Sequence, residues 1–305
     1  MALDGTLLRQ IKHELEGCLL NARVDKIHQI SREEMVFILR LPQPSPDGAR
    51  TVKLYLSAGA DSPRIHLTSA SFENPKAPPM FCMLLRKHLV GGRITEIEQS
   101  GLERIVTFTV RSVNELGESG TKKLVLEAMG RRSNLLLLDE DDRILDCMRR
   151  VEFEVSGARA LLPGLYYHLP PRQEKRSPLE VEEQEFRTLL ESASPEIQTD
   201  KWLLDTFTAI APLWAREMAF RAGGSTDCLL PAAVGRLWLE FNAWRRLVRQ
   251  GEFLPVVLAR DGKPFDFTFA PVLQYENACE IRTEESFSQL LDHFYAQREQ
   301  ADRVR

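Results

Sequence analysis

The chain has no two cysteines in a CxxC spacing; its five (Cys18, Cys82, Cys147, Cys228, Cys279) are scattered and odd in number. That argues against a disulfide framework and a zinc ribbon, and predicts reduced thiols in a cytoplasmic setting. No apolar run is long enough to span a bilayer, and the opening "MALDGTLLRQIKHELEG" reads as an amphipathic helix carrying acids rather than as a signal peptide. Basic residues are not in excess: the net charge is −4 and the pI about 6.0. A polyanionic partner would therefore have to be met by local patches, not by the overall field. Also missing are a GxGxxG after a strand, a GxxxxGK[ST] loop, an HExxH helix and a GxSxG elbow. The six histidines are dispersed. No catalytic set assembles, no metal site or cofactor is implied, and no internal repeat or low-complexity tract stands out.

What is present is a globular α+β pattern. The 305 residues, 43% apolar and 28% charged, allow two domains with a sizeable core. Over the first 170 or so, short β-rich segments at 35–41, 51–58, 64–69, 93–99, 104–112, 123–129 and 134–139 are separated by turn signals such as "PSPDG" and "NELGESG". Two helices interrupt them, one near 4–19 and one led by Pro78 and Pro79. This second helix, "MFCMLLRKHL", is so apolar that burial nearly all round is expected. The pattern predicts a strand-rich sandwich with packed helices over 1–175 and a small helical domain over 176–250 holding all four tryptophans. A hairpin over 251–282, turning at Asp261-Gly262, is expected to return to the domain junction. The tail, 283–305, is expected to open with a Thr283 cap, to stay helical to its last residue, and to be cut at the start of a longer helix.

Three places invite a polar function, each with an ordinary alternative. Asp4, before Gly5, suits the N-cap of the first helix. Glu103 and Arg104 stand at a strand entry, where adjacent side chains point to opposite faces, so each wants its own partner or simply solvent. In "EAMGRRSNLLLLD", Arg131, Arg132, Ser133 and Asn134 cluster donors beside Gly130, which suits phosphate or ribose contacts and suits a polar turn equally well.

Taken in order and spacing, the strings "LDG", "NPKAPPMFCMLLRKHLVGGRI", "QSGLERI", "EAMGRRSNLLLLD" and "ARALLPGLYYHLPPRQEKRSP" resemble the NFACT family, and within it the N-terminal half of bacterial members. The resemblance runs on through "TFTAIAPLWAREMAFRAG", "FAPVLQY" and "SFSQLLDHFYAQREQADR". It implies an NFACT-N domain and a helix-hairpin-helix domain, followed by the start of a coiled coil. It implies a cytoplasmic, non-enzymatic factor that binds the large ribosomal subunit with stalled peptidyl-tRNA and recruits alanyl-tRNA for untemplated C-terminal tailing. The family's tRNA-contact aspartate then falls on Asp4 and its Asp-Arg pair on Glu103 and Arg104, the acid one methylene longer here. Where the family has Gly-Ile-Ser-Pro in its hairpin, this chain reads Ala209-Ile210-Ala211-Pro212, which puts close backbone approach to phosphate in doubt. Two rival readings are a fibronectin-binding adhesin and a DNA glycosylase of related fold. The chain opens Met1-Ala2-Leu3, without the glycosylase's N-terminal proline and glutamate, and lacks a four-cysteine finger.

Overall fold

The alternating segments become strands and the 3.6-periodic ones helices in the computed structural model, which describes residues 3–303. Met1 and Ala2, which bear on the glycosylase reading, and Val304 and Arg305, in the tail expected to be helical, lie outside the described residues. In chain order the elements are α1 (Gly5–Leu19), β1 (Arg23–Gln29), β2 (Glu34–Arg40), β3 (Thr51–Ser57), β4 (Arg64–Thr68), α2 (Met80–Leu89), β5 (Arg93–Gln99), β6 (Ile105–Val113), β7 (Ser119–Glu127), β8 (Asn134–Leu138) and β9 (Ile144–Cys147). There follow α3 (Phe153–Ser156), α4 (Glu183–Glu191), α5 (Thr199–Thr206), α6 (Pro212–Gly223), α7 (Leu230–Gln250), β10 (Val256–Arg260), β11 (Lys263–Thr268), β12 (Glu280–Thr283) and α8 (Phe287–Arg303). The chain divides into two compact units, Met1–Pro171 with Phe287–Arg305, and Arg172–Ser286. The fold is mixed α+β, as the sequence predicts.

The first unit is built on one antiparallel sheet in the order β4-β3-β2-β1-β5-β6-β7-β8-β9. Here one expectation is corrected: the backbone carries an internal repeat. Arg23 pairs with Arg40 as Arg93 pairs with Arg111; Ile27 with Phe37 as Ile97 with Phe108; Gln29 with Met35 as Gln99 with Val106. Both ladders slip at the same place, between Val24 and Lys26 and between Ile94 and Glu96. The next pairings agree too, Leu54 with Leu67 and Leu124 with Leu137. The halves meet where β1 and β5 touch, and the bonds there come in matched pairs. Asn21 N–H donates to Ile94 C=O (2.7 Å) and Gly91 N–H to Val24 C=O (2.8 Å); Val24 N–H donates to Gly92 C=O and Ile94 N–H to Ala22 C=O (both 2.9 Å). An antiparallel contact between equivalent residues is an approximate two-fold. In the core, Val24, Phe37, Leu39 and Leu54 converge with their counterparts Ile94, Phe108, Val110 and Leu124. That convergence makes the two halves of the sheet the two leaves of a sandwich.

The helices repeat as well: Ile11, Leu15 and Leu19 of α1 are buried where Phe81, Leu85 and Leu89 of α2 are buried. The expectation that α2 is buried all round is corrected. Met80 is 88% and Met83 54% exposed, because only the stripe through Cys82, Leu85 and Leu89 packs inward.

The tail joins this unit. Thr283 lies in β12, so the expected threonine cap is corrected. Instead the Glu14 carboxylate of α1 accepts N–H bonds from Phe287 (2.7 Å) and Ser288 (3.3 Å). Ser288 Oγ accepts from Leu67 N–H, and Asp292 accepts from Thr68 Oγ1 (2.6 Å) and Ser69 N–H (3.1 Å), covering part of the β4 edge. Leu290, Leu291 and Phe294 are buried.

In the second unit, Phe186, Phe207 and Phe241 form an aromatic cluster with Trp202 and Trp238. Glu217 of α6 is fully buried and accepts from Leu273 N–H, Gln274 N–H and Nε2, and Arg221 Nε. The β10–β11 hairpin turns at Asp261 and Gly262, both with positive φ. Its Thr268 Oγ1 accepts from Trp214 Nε1 at 2.9 Å. Between α5 and α6, Ala209 has φ 60°, the left-handed geometry that a glycine would adopt without a steric penalty. Ala209→Gly is therefore expected to stabilise the protein by about 1 kcal/mol and to raise the Tm by a few degrees. A thermal melt with an unchanged or lower midpoint would contradict this.

Candidate functional site

The site is assembled at the start of α1. Asp4 is extended, and its Oδ1 accepts the N–H groups of Thr6 and Leu7, both at 2.8 Å. These are donors a helix start leaves without partners, so the cap fixes the first turn. Gly5 follows for a reason outside the helix. A Cβ placed on it would stand 1.8 Å from the carbonyl oxygen of Leu102, so glycine alone lets the helix start touch the turn between β5 and β6. Gln99 ties the two together: its Nε2 donates to Gly5 C=O (2.9 Å) and to Glu103 C=O (2.7 Å). Asp4 and the Glu103–Arg104 turn are thereby brought to one place. Glu103 is exposed and Arg104 half-buried, and neither side chain makes a hydrogen bond or ion pair among the described residues.

Arg104 is also joined to the other predicted cluster. Its carbonyl accepts the N–H of Ala128 (2.8 Å), so the 128–133 connection runs beside the turn. Arg131 and Arg132 are exposed there, their side chains without partners among the described residues. Asn134 is placed differently from the expectation that groups it with these donors. It is 1% exposed, its Nδ2 donates to Arg149 C=O (2.7 Å), and its Oδ1 accepts from the N–H groups of Leu135 and Arg149 (3.0 Å each). Both ends of the amide are spent on backbone. Arg149 in turn donates to Arg131 C=O (2.7 Å) and to Glu33 (2.8 Å).

Behind the loop, Glu127 is fully buried and meets the Arg159 guanidinium at 2.6 Å and the Tyr167 hydroxyl at 3.0 Å. Burial pushes the Glu127 carboxyl up, and the Arg159 charge and hydrogen bond pull against that rise. Sequence reasoning missed Gly5, Gln99, Arg149 and this buried pair. The signal that could have found Gln99 is its counterpart, Gln29, which donates to Arg32 C=O as Gln99 donates to Glu103 C=O.

The repeat shows why the site forms once. α1 begins at Gly5, but α2 begins at Met80, five residues later than the repeat would place it. Among the described residues Gln29 keeps one side-chain bond, at 3.4 Å, where Gln99 has two, one of them to the helix start at Gly5.

Residues 4–305 match the family described as NFACT N-terminal and middle domains. The chain is 37% identical over 306 residues to the Rqc2 homolog RqcH of Bacillus subtilis, covering the whole chain but 50% of that protein. It thus spans about half the length of this relative. It is 32% identical over 151 residues to ribosome quality control complex subunit 2 of Saccharomyces cerevisiae, covering 49% of this chain and 13% of the yeast protein. Among solved structures it is similar to the N-terminal part of the fibronectin/fibrinogen-binding protein of Streptococcus suis, with a TM-score of 0.76 and 29% identity, covering 97% of this chain and 99% of that one.

Proposed function

The chain belongs to the NFACT family, and from that membership we propose that it is the tRNA-holding half of a ribosome quality control factor. The factor binds large ribosomal subunits carrying stalled peptidyl-tRNA in the cytoplasm and recruits alanyl-tRNA for untemplated C-terminal tailing. The ribosome forms the bonds, and the protein selects and positions. The observation that carries this reading is the junction of the Asp4 helix start with the Glu103–Arg104 turn, through Gln99 and Gly5, beside a guanidinium without a partner among the described residues. A guanidinium without an internal partner offers forked hydrogen bonds to phosphate and a flat face to stack on a base. Glu103 adds an acceptor for exocyclic amines or ribose hydroxyls, and Asp4 adds a carboxylate held in place by the helix cap. The longer acid at 103 shifts that acceptor outward by one methylene.

Arg104→Ala in the full-length protein tests the assignment. Losing such a contact is expected to cost about 1.5–3 kcal/mol, a tenfold or greater loss of tRNA co-purification and of tailing. Thermal stability should stay within about 0.5 kcal/mol, because the side chain makes no hydrogen bond or ion pair among the described residues. Retained tRNA and tails, or an unfolded variant, would sink the reading. The name of the S. suis relative favours a second reading, fibronectin binding. Binding of the full-length protein to immobilised fibronectin, insensitive to Arg104→Ala, would support that one instead.

A further inference from the structure

The two halves of the sheet are copies in backbone and opposites in charge where it matters. The Gln29 and Gln99 bonds equate Arg32 with Glu103. Ala58 N–H donates to Glu33 C=O (2.9 Å) as Ala128 N–H donates to Arg104 C=O (2.8 Å), which equates Glu33 with Arg104. The following turns match as well, Ser62 N–H to Gly59 C=O and Arg132 N–H to Met129 C=O, so Asp61 stands where Arg131 stands. Arg32, Glu33 and Asp61 in the first half thus hold the positions that Glu103, Arg104 and Arg131 hold in the second, each with its sign reversed. Arg132 adds a further positive charge opposite the neutral Ser62. One charge of the first half is also used differently from its counterpart. The Glu33 carboxylate is taken up by Arg149, whereas Arg104, Arg131 and Arg132 have no partner among the described residues.

We propose that Arg104, Arg131 and Arg132 form one track for an RNA phosphodiester backbone, confined to the second half of the sheet, and that the acid at Asp61 bars the same path on the first half. The proposal rests on the RNA-binding reading above and extends it along the 128–133 connection. In a chain of net charge −4, three uncompensated guanidinium groups on two hydrogen-bonded segments are a local exception to the overall field. Arg149 supports the track without joining it: it holds the Arg131 carbonyl and Glu33, and so fixes the loop's place. Contacts of this kind position an RNA and carry no base information, so the track is expected to be indifferent to tRNA sequence.

The test is the full-length protein with bulk deacylated tRNA, its affinity measured as a function of salt. Each lost phosphate contact lowers the slope of log K against log salt by about 0.7–1. Arg131→Gln with Arg132→Gln is expected to weaken binding about tenfold and to reduce the slope by about 1–2, equally for different tRNAs, with melting unchanged. Asp61→Asn is expected to tighten binding slightly with the slope unchanged, and unchanged affinity would remove Asp61 from the proposal. If the double variant keeps affinity and slope while Arg104→Ala loses binding, the track is wrong and the Arg104 reading survives. If Arg104→Ala binds normally and the double variant does not, the basic loop stands and the Arg104 reading falls. If neither variant changes binding, both fail.

Discussion

One methyl group added at Gly5 is expected to cost about 2–3 kcal/mol of stability and to take tRNA binding with it. The Cβ of Gly5→Ala would lie 1.8 Å from the Leu102 carbonyl oxygen, and that oxygen belongs to backbone that cannot swing aside like a side chain. Either the helix start or the 100–104 turn must retreat, and retreat stretches both Gln99 bonds. Helix propensity alone predicts the opposite sign, since alanine is the better helix former. Thermal melting and tRNA co-purification of Gly5→Ala decide between them. Gln99→Leu serves as the companion, removing the tie without a clash and lowering tRNA affinity with a smaller loss of stability. A variant that melts like the parent and holds tRNA would show that the two segments do not need to touch.

The second large effect is expected at Arg159. Replacing it with alanine leaves the fully buried Glu127 carboxylate facing only the Tyr167 hydroxyl, and an unpaired buried charge costs about 3–5 kcal/mol. Chemical denaturation measures it. The double variant Glu127→Met with Arg159→Met is expected to recover most of the loss, because the cost lies in the orphaned charge and not in the absence of the pair. A double variant as unstable as Arg159→Ala would mean that packing, not charge, is what Arg159 supplies.

Much of the fold was legible because burial enforces period: "RIVTFTVRS" and "NLLLLD" can hardly be anything but strands. β1, "RVDKIHQ", is hard to read because Val24 and Ile27 are three residues apart and share the buried face only through the ladder slip between Val24 and Lys26. The repeat escaped for a related reason. Identities do survive between the halves (Arg23 and Arg93, Ile27 and Ile97, Gln29 and Gln99, Phe37 and Phe108, Leu54 and Leu124 among them), but they stand singly and the spacing shifts by one residue between β5 and β6, while the ladder register persists as a property of the paired backbone. Arg104 becomes a candidate in the sequence through its string alone. Gly5 carries no local sign of its role, because its constraint, the Leu102 carbonyl, lies far off in sequence. Asn134 looked like a donor because an asparagine after Gly-Arg-Arg-Ser has no local sign of being buried.

The grip of Glu14 on the first turn of α8 sets an order of events in time. The bond joins residues 273 apart, and Arg172–Ser286 all lie between. Translation proceeds at about 5–20 residues per second, so this intervening stretch takes on the order of 6–23 s to make. Through that interval the Leu67–Ser69 edge of β4 and the Glu14 carboxylate wait without the residues that later cover them. A nascent chain of this protein thus holds an open strand edge for seconds, long enough for a chaperone or another chain to pair with it before the native helix arrives.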